Sequence, residues 1–506
     1  MKRFLLTLTI LITLTGNIFS QTPSKPFPQH VTYTAGSIKP NIVTQNAMDK
    51  KVKSFYIKWK NRYLVNGCAP DEYYVFYNFE GFADPPDAIC VSEGQGYGMI
   101  ITALMAGYDA NAKIIFDGLY NYYKSHPSII DPVLMGWQQT EGCINVPDAD
   151  AATDGDLDIA YGLLLAHIQW GSAGAINYLS EAQNLIDAIY NSEINHNNQT
   201  VKLGDWVTGS ASAMSYTTRS SDFMPDHFRL FAAANDDLNW NLVTDRCYSV
   251  IQSIQTSYSP ATGLMPDFIK KTNTSPVPAP PNFLESSHDG EYYYNACRVP
   301  WRIATDYLVN GDTRAFDALT LINTWIKTKT SSTPANIKSG YSLSGDVLAG
   351  SNYNDLSFQA PFGVSAMISS VNQTWLNNLW NYYQTVPVSR DGYYGNSIKM
   401  LSMIIMSGNW WAPDPGMLRE GNYQTENNSI SIVNPVHDQL NFTIQNQADY
   451  LICIHSLDGQ EIYSDHISTI NGKSNFQINV SDFSKGVYLL TAISGEQKIV
   501  KKIVIQ

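Results

Sequence analysis

Residues 148–158 read DADAATDGDLD, a run dense in aspartate that leads straight into the apolar stretch IAYGLLLA. Carboxylates packed this closely serve either a bound cation or acid–base chemistry. A calcium loop of the EF-hand type needs Asp-x-Asp/Asn-x-Asp/Asn-Gly, with an acidic residue at the twelfth position. Counting from Asp150 puts Ala152 third and Tyr161 twelfth. Counting from Asp154 puts Ile159 where glycine is needed and Leu165 at the end. Both registers fail. Helix capping accounts for one or two of the carboxylates: Asp154 sits where an N-cap is expected, with Asp156 and Asp158 in the following turn, which the helix dipole favours. Three on alternate positions of an otherwise apolar helix need more, because a buried carboxylate costs several kcal/mol unless it is paired. At least one is expected to face a polar cleft.

The elements that must hold such a cleft are helical from about residue 45 to 410. Segments 95–108, 158–170 and 397–408 are apolar nearly all round, whereas 112–125, 176–194 and 314–328 are amphipathic. A helix apolar on every side must be buried, and an amphipathic one covers it from outside. About a dozen alternations of the two kinds predict a double-layered helical barrel. Loops rich in Gly, Pro, Asp and aromatics separate the helices, and a rigid scaffold carries function on such loops.

The stretch ATDGDLDIAYGLLLAHIQW (152–170) resembles the signature of glycoside hydrolase family 8, although Gly162 stands where that family more often has serine or alanine. VSEGQGYGM (91–99), ACRVPWRIATDYL (296–308) and YYGNSIKMLSMIIMSGNWW (393–411) extend the likeness over residues 30–412, in the family's order. The resemblance implies an (α/α)6 barrel with an acidic cleft that hydrolyses β-1,4-linked glycans with inversion. Inversion takes two carboxyl groups about 6.5–9.5 Å apart, one protonating the leaving oxygen and the other activating water. Glu93 matches the general acid; the glycines around it are expected to let a sugar approach, and the apolar helix behind it to raise its pKa. Asp154 matches the residue that grips and distorts the sugar, with Asp156 and Asp158 as supports.

The base departs from the commonest pattern. Many members carry aspartate just before the A/S-x-R-x-P-W-R stretch, but EYYYNACRVPWR places Asn295 there. An amide cannot take a proton from water, so the base is sought in NFLESSHDGEYYYN, which offers Glu285, Asp289 and Glu291. A subfamily of chitosanases and β-glucanases shares the asparagine and takes its base from a glutamate in this loop. Glu285 fits that glutamate, with Glu291 second and Asn295 orienting water or sugar. Trp137 and Trp206 resemble stacking platforms, Arg298 the arginine near the base, and Tyr394 a cleft-lining tyrosine. Chitosan is the first substrate expected, then cellulose or mixed-linkage β-glucan, then xylan. The competing readings are a glycan-binding protein without turnover and a lyase of acidic polysaccharides.

After about residue 415 the pattern changes to short alternating strands with Asn-Pro, Asp-Gly and Lys-Gly turns, a small β-sandwich with no cluster of catalytic residue types. NPVHDQL, LDGQEI, FSKGVYLL and KKIVIQ resemble the C-terminal sorting domain of the type IX secretion system, which implies that machinery as a partner. MKRFLLTLTILITLTGNIFSQ has a basic start and an apolar run too short to span a bilayer, and reads as a cleaved signal over residues 1–20. The expected order is therefore signal 1–20, catalytic region 30–412, linker 413–428 and sandwich 429–506, exported, soluble and monomeric. A net charge of −13 argues against nucleic acid and anionic membranes. Six cysteines without CxxC spacing give no zinc site; disulfides are permitted but unpaired by sequence, and hydrolysis needs no cofactor.

Overall fold

The computed structural model describes residues 22–81, 83–209, 212–418 and most of 429–506. The expected signal, residues 1–20, and residues 419–428 of the expected linker lie outside the described residues. The chain divides into two compact units, residues 1–419 and 420–506.

The first unit is an (α/α)6 barrel. Its inner helices are α2 (Ser92–Leu104), α4 (Thr153–Trp170), α6 (Pro225–Ala234), α8 (Val299–Asn310), α10 (Leu356–Ala366) and α12 (Tyr393–Met406). Each packs on the next, and α12 returns to α2 to close the ring. The outer helices are α1 (Gln45–Tyr63), α3 (Ala112–Ser125), α5 (Tyr178–Glu193), α7 (Asn239–Ser257), α9 (Thr313–Thr330) and α11 (Gln373–Thr385). Every residue of α4 and α10 is buried, whereas α3 buries only the stripe that includes Ile115, Phe116, Leu119, Tyr122 and Tyr123. The two hydrophobic patterns thus sort the helices into layers as expected. The inner helices begin earlier than their apolar runs suggest, and this brings Glu93, Asp154 and Tyr393 into first turns.

The α2–α4 contact is unusually close. A methyl group on Gly96 would lie 2.6 Å from the Asp158 Cβ, and one on Gly162 would lie 2.9 Å from the Met99 Cβ. Glycine at 162, the departure noted above, therefore has a steric reason. We expect Gly162→Ala to destabilise the unit by about 1–3 kcal/mol through overpacking, despite alanine's better helix propensity. A thermal melt checks this, and an unchanged or higher Tm would contradict the packing argument.

Residues 413–418 were expected in the linker but pack on the helical unit: Leu418 is buried in its core, and the Met417 carbonyl lies 3.1 Å from His167 Nε2. Cys68 and Cys143 form a disulfide between two loops, leaving Cys90, Cys247, Cys297 and Cys453 as buried thiols. The second unit contains antiparallel sheets of three strands (Ser429–Ile432, Gln439–Gln445, Ser474–Asn479) and four (Asp449–Ser456, Glu461–Ser468, Gly486–Ser494, Gln497–Ile505). Alternating residues such as Leu440, Phe442, Ile444, Ile452, Ile454, Leu490 and Ala492 from both sheets form one apolar core.

Candidate active site

Glu93 occupies the first turn of α2 with its side chain only 17% exposed. It accepts from Arg298 Nη1 at 2.7 Å and from the Tyr393 hydroxyl at 3.0 Å. Burial pushes its carboxyl up to about 7, with Arg298 opposing and the Asp154 charge adding to the rise. The glycines beside it do not open space for a sugar as expected. A methyl on Gly94 would strike the Tyr393 hydroxyl at 2.9 Å and Gly96 abuts Asp158, so both serve helix packing.

Asp154 is not the N-cap of α4. That place falls to Ala152, and Asp154 lies inside the first turn with its carboxylate turned to Arg298 Nη1 at 2.6 Å. The other two aspartates go elsewhere. Asp156 accepts the Met135 amide at 2.9 Å, and Asp158 takes a two-pronged contact from the Arg302 guanidinium plus His227 Nε2 at 3.0 Å. Both are buried parts of the scaffold.

Arg298 is the hub. It is 2% exposed and sits in a 3-10 turn, Ala296–Arg298, at the head of α8. Nη1 holds Glu93 and Asp154, while Nη2 donates to Ser221 Oγ at 2.9 Å and to Asn295 Oδ1 at 3.0 Å. Because Asn295 Oδ1 faces the guanidinium, its Nδ2 is left to donate to Glu285 Oε2 at 2.7 Å. The other oxygen of Glu285 accepts from Arg219 Nη2 at 2.7 Å, and its side chain remains 43% exposed. Acid candidate and base candidate are thus tied by one chain of hydrogen bonds, Glu93–Arg298–Asn295–Glu285.

The remaining loop carboxylates separate cleanly. Asp289 is fully buried and accepts the amides of Leu284, Glu285 and Ser286, so it shapes the loop that presents Glu285. Glu291 accepts the Leu343 amide at 3.0 Å, and burial raises its pKa. Asp267, unremarked in the sequence, accepts the amides of Tyr293 and Ala296 and lies 3.4 Å from Asn295 Nδ2. Trp137 and Trp206 are half-buried: the Trp137 carbonyl accepts the amide of Ser92 next to Glu93, and Trp206 packs against a small cluster of Leu203, Val207 and Phe268. Tyr394 places its ring 5.8 Å from the Arg298 guanidinium but commits its hydroxyl to the Tyr294 carbonyl. The tyrosine that reaches a carboxylate is its neighbour Tyr393.

An aspartate at 295 would stand against both Glu285 and Asp267, and like charges this close cannot all ionise. Asn295→Asp is expected to cut activity at neutral pH by about 10- to 100-fold and to move the acid limb of the pH–rate profile upward. A profile unchanged from wild type would contradict this.

Residues 82–408 match the family described as glycosyl hydrolases family 8. A β-glucanase of Niallia circulans is 51% identical over 389 residues, 77% of this chain and 92% of that protein. The chain belongs to glycoside hydrolase family 8. An endoglucanase of Bacillus sp. (strain KSM-330) is 43% identical, over 77% of this chain and 82% of its own. Among solved structures, the apo β-1,3-1,4-glucanase from Paenibacillus sp. X4 is 50% identical with a TM-score of 0.73, over 77% of this chain and all of that one. Rex8A from Paenibacillus barcinonensis, bound to xylose, shares the fold at 18% identity and a TM-score of 0.60, over 74% and 96% of the two chains. This family 8 chain is therefore a glycoside hydrolase. Residues 434–506 match the secretion system C-terminal sorting domain, which marks it for secretion or display at the cell surface. No helix among the described residues is long and apolar enough to cross a membrane.

Proposed function

We propose that the protein is an inverting endo-β-glucanase, with Glu93 as general acid and Glu285 as general base. The observation that carries this reading is the bridge from Asn295 to Glu285. It provides, in place of the missing aspartate, a partly exposed carboxylate held by two donors. Glu93 gives its proton to the glycosidic oxygen as the bond to the anomeric carbon breaks. Water attacks that carbon from the opposite face while Glu285 accepts the water's proton, so the proton lost by one carboxyl is matched by that gained at the other. Asp154 grips the sugar between them, Asn295 orients base and water, and Trp137 and Trp206 offer faces for ring stacking, with Tyr394 lining the cleft. Residues 30–412, extended to 418, form the catalytic region of a monomer, and 429–506 its export module.

The glucanase names of the relatives at 51% and 43% identity, and the β-1,3-1,4-glucanase structure at 50%, favour a β-glucan, mixed-linkage or cellulosic, over chitosan. Reducing-end release from barley β-glucan, chitosan and xylan tests the order. We expect the glucan to be cleaved fastest. A higher kcat/KM on chitosan would reverse the assignment, and retention of polymer without new reducing ends would leave a binding protein.

The pH dependence follows from Glu93. The acid must carry its proton, so the rate is lost as pH rises through about 7. A rate still rising between pH 7 and pH 9 would contradict Glu93 as acid.

A further inference from the structure

Lys399 lies on α12 nearly two turns beyond Tyr393, and it takes no part in the site above. It is 2% exposed, donates to the Val386 carbonyl at 2.8 Å and stands 3.9 Å over the Phe55 ring. The charged groups that face it are Lys58 from α1 and Arg390 and Asp391 from the segment leading into α12; none of the ion pairs among the described residues includes Lys399. A buried ammonium without a counter-ion is costly, because neither water nor a carboxylate replaces its lost hydration.

The same lysine lines a cavity of about 170 Å³ that also takes in Lys51, Lys58, Ser54, Gln384 and Thr385, with no acidic residue in its wall. Lys51 and Lys58 are seven residues apart, two turns along one face of α1, and both are exposed, as are Ser54 and Thr385 at the mouth. Three cations therefore converge on one opening, with hydroxyl and amide groups between them, and the deepest of the three is buried.

We propose that this pocket binds a small oxyanion, a sulfate, phosphate or carboxylate group, between Lys51, Lys58 and Lys399. Such a group spans only a few water volumes of about 30 Å³ each. It supplies the counter-ion that the fold withholds from Lys399. Two sources present this chemistry, a free inorganic ion and a carboxylate carried on a sugar. Burial and the neighbouring cations hold the Lys399 amine down to about 7, so an arriving anion also brings a proton onto it.

Titration calorimetry with sodium sulfate, on the full mature protein at fixed ionic strength in chloride, tests the proposal. Sulfate keeps its charge across the range, so any pH dependence belongs to the protein. We expect saturable binding that tightens about tenfold from pH 8 to pH 6 as Lys399 takes up its proton. The exposed pair Lys51→Gln/Lys58→Gln should lose at least about tenfold in affinity while keeping its β-glucan hydrolysis and its Tm in chloride. Lys399→Met should flatten the pH dependence. Glucuronate binding as tightly as sulfate identifies a sugar carboxylate as the ligand, and sulfate or phosphate alone identifies the free ion. Three results would each overturn the proposal: no saturable binding below about 50 mM, an unchanged affinity in the double variant, or a flat pH dependence in the wild type.

Discussion

Glu285→Gln is expected to lower kcat on β-glucan by about 10³–10⁴-fold, with KM changed by less than about threefold. The glutamine can keep the bond to Asn295 or to Arg219, so the loop anchored by Asp289 holds and sugar binding persists. What is lost is the capacity to take a proton from the attacking water, a transition-state effect of about 4–5.5 kcal/mol. Because every substrate must be attacked by water, the loss is the same on the polymer and on an aryl glycoside with a good leaving group. Steady-state kinetics on both substrates check this. A variant within about tenfold of wild type would remove Glu285 from the mechanism and turn attention to Glu291.

Glu93→Gln behaves differently. On β-glucan, whose leaving alkoxide needs a proton, activity falls by about 10³–10⁴-fold. On a dinitrophenyl β-glycoside, whose leaving group departs without help, the loss shrinks to about tenfold or less. The alkaline limb near pH 7 also disappears, since that limb reports the Glu93 proton. The contrast between the two variants on two substrates separates acid from base. Equal losses on both substrates in Glu93→Gln would deny Glu93 the role of proton donor.

Much of this arrangement can be read from the chain because it lies in short contiguous motifs. SEGQGYGM carries Glu93, TDGDLD carries Asp154, and NACRVPWR carries both Asn295 and Arg298. The layers of the barrel follow from apolar periodicity, since a helix buried on all faces and one buried on a single stripe differ in composition. Single residues brought in by the fold are not legible in this way. Arg219 lies 66 residues from Glu285, at the end of the short strand Thr218–Arg219, and Asp267 lies 28 from Asn295, neither within a motif of its own. Tyr393 and Tyr394 show a subtler limit. Adjacent residues on a helix point about 100° apart, so which one reaches Glu93 depends on the rotation of α12 and not on sequence. The glycines near Glu93 show the same limit: a sequence records that a residue is small but not which neighbour requires it. Here the neighbours are a tyrosine and a second helix rather than a sugar.

Azide rescue tests the proposed placement of Glu285 opposite Glu93 most directly. Glu285→Ala removes the carboxylate and leaves room beside Asn295 and Arg219 for a small anion that attacks without a base. Turnover of a β-glucan oligosaccharide by this variant is followed by proton NMR with and without sodium azide, beside Glu291→Ala as control. The expected result is a nearly inactive Glu285→Ala enzyme whose turnover azide restores, releasing an α-glycosyl azide, while Glu291→Ala stays close to wild type. A Glu285→Ala enzyme that keeps its activity while Glu291→Ala loses it, or a β-glycosyl azide as product, would contradict the account.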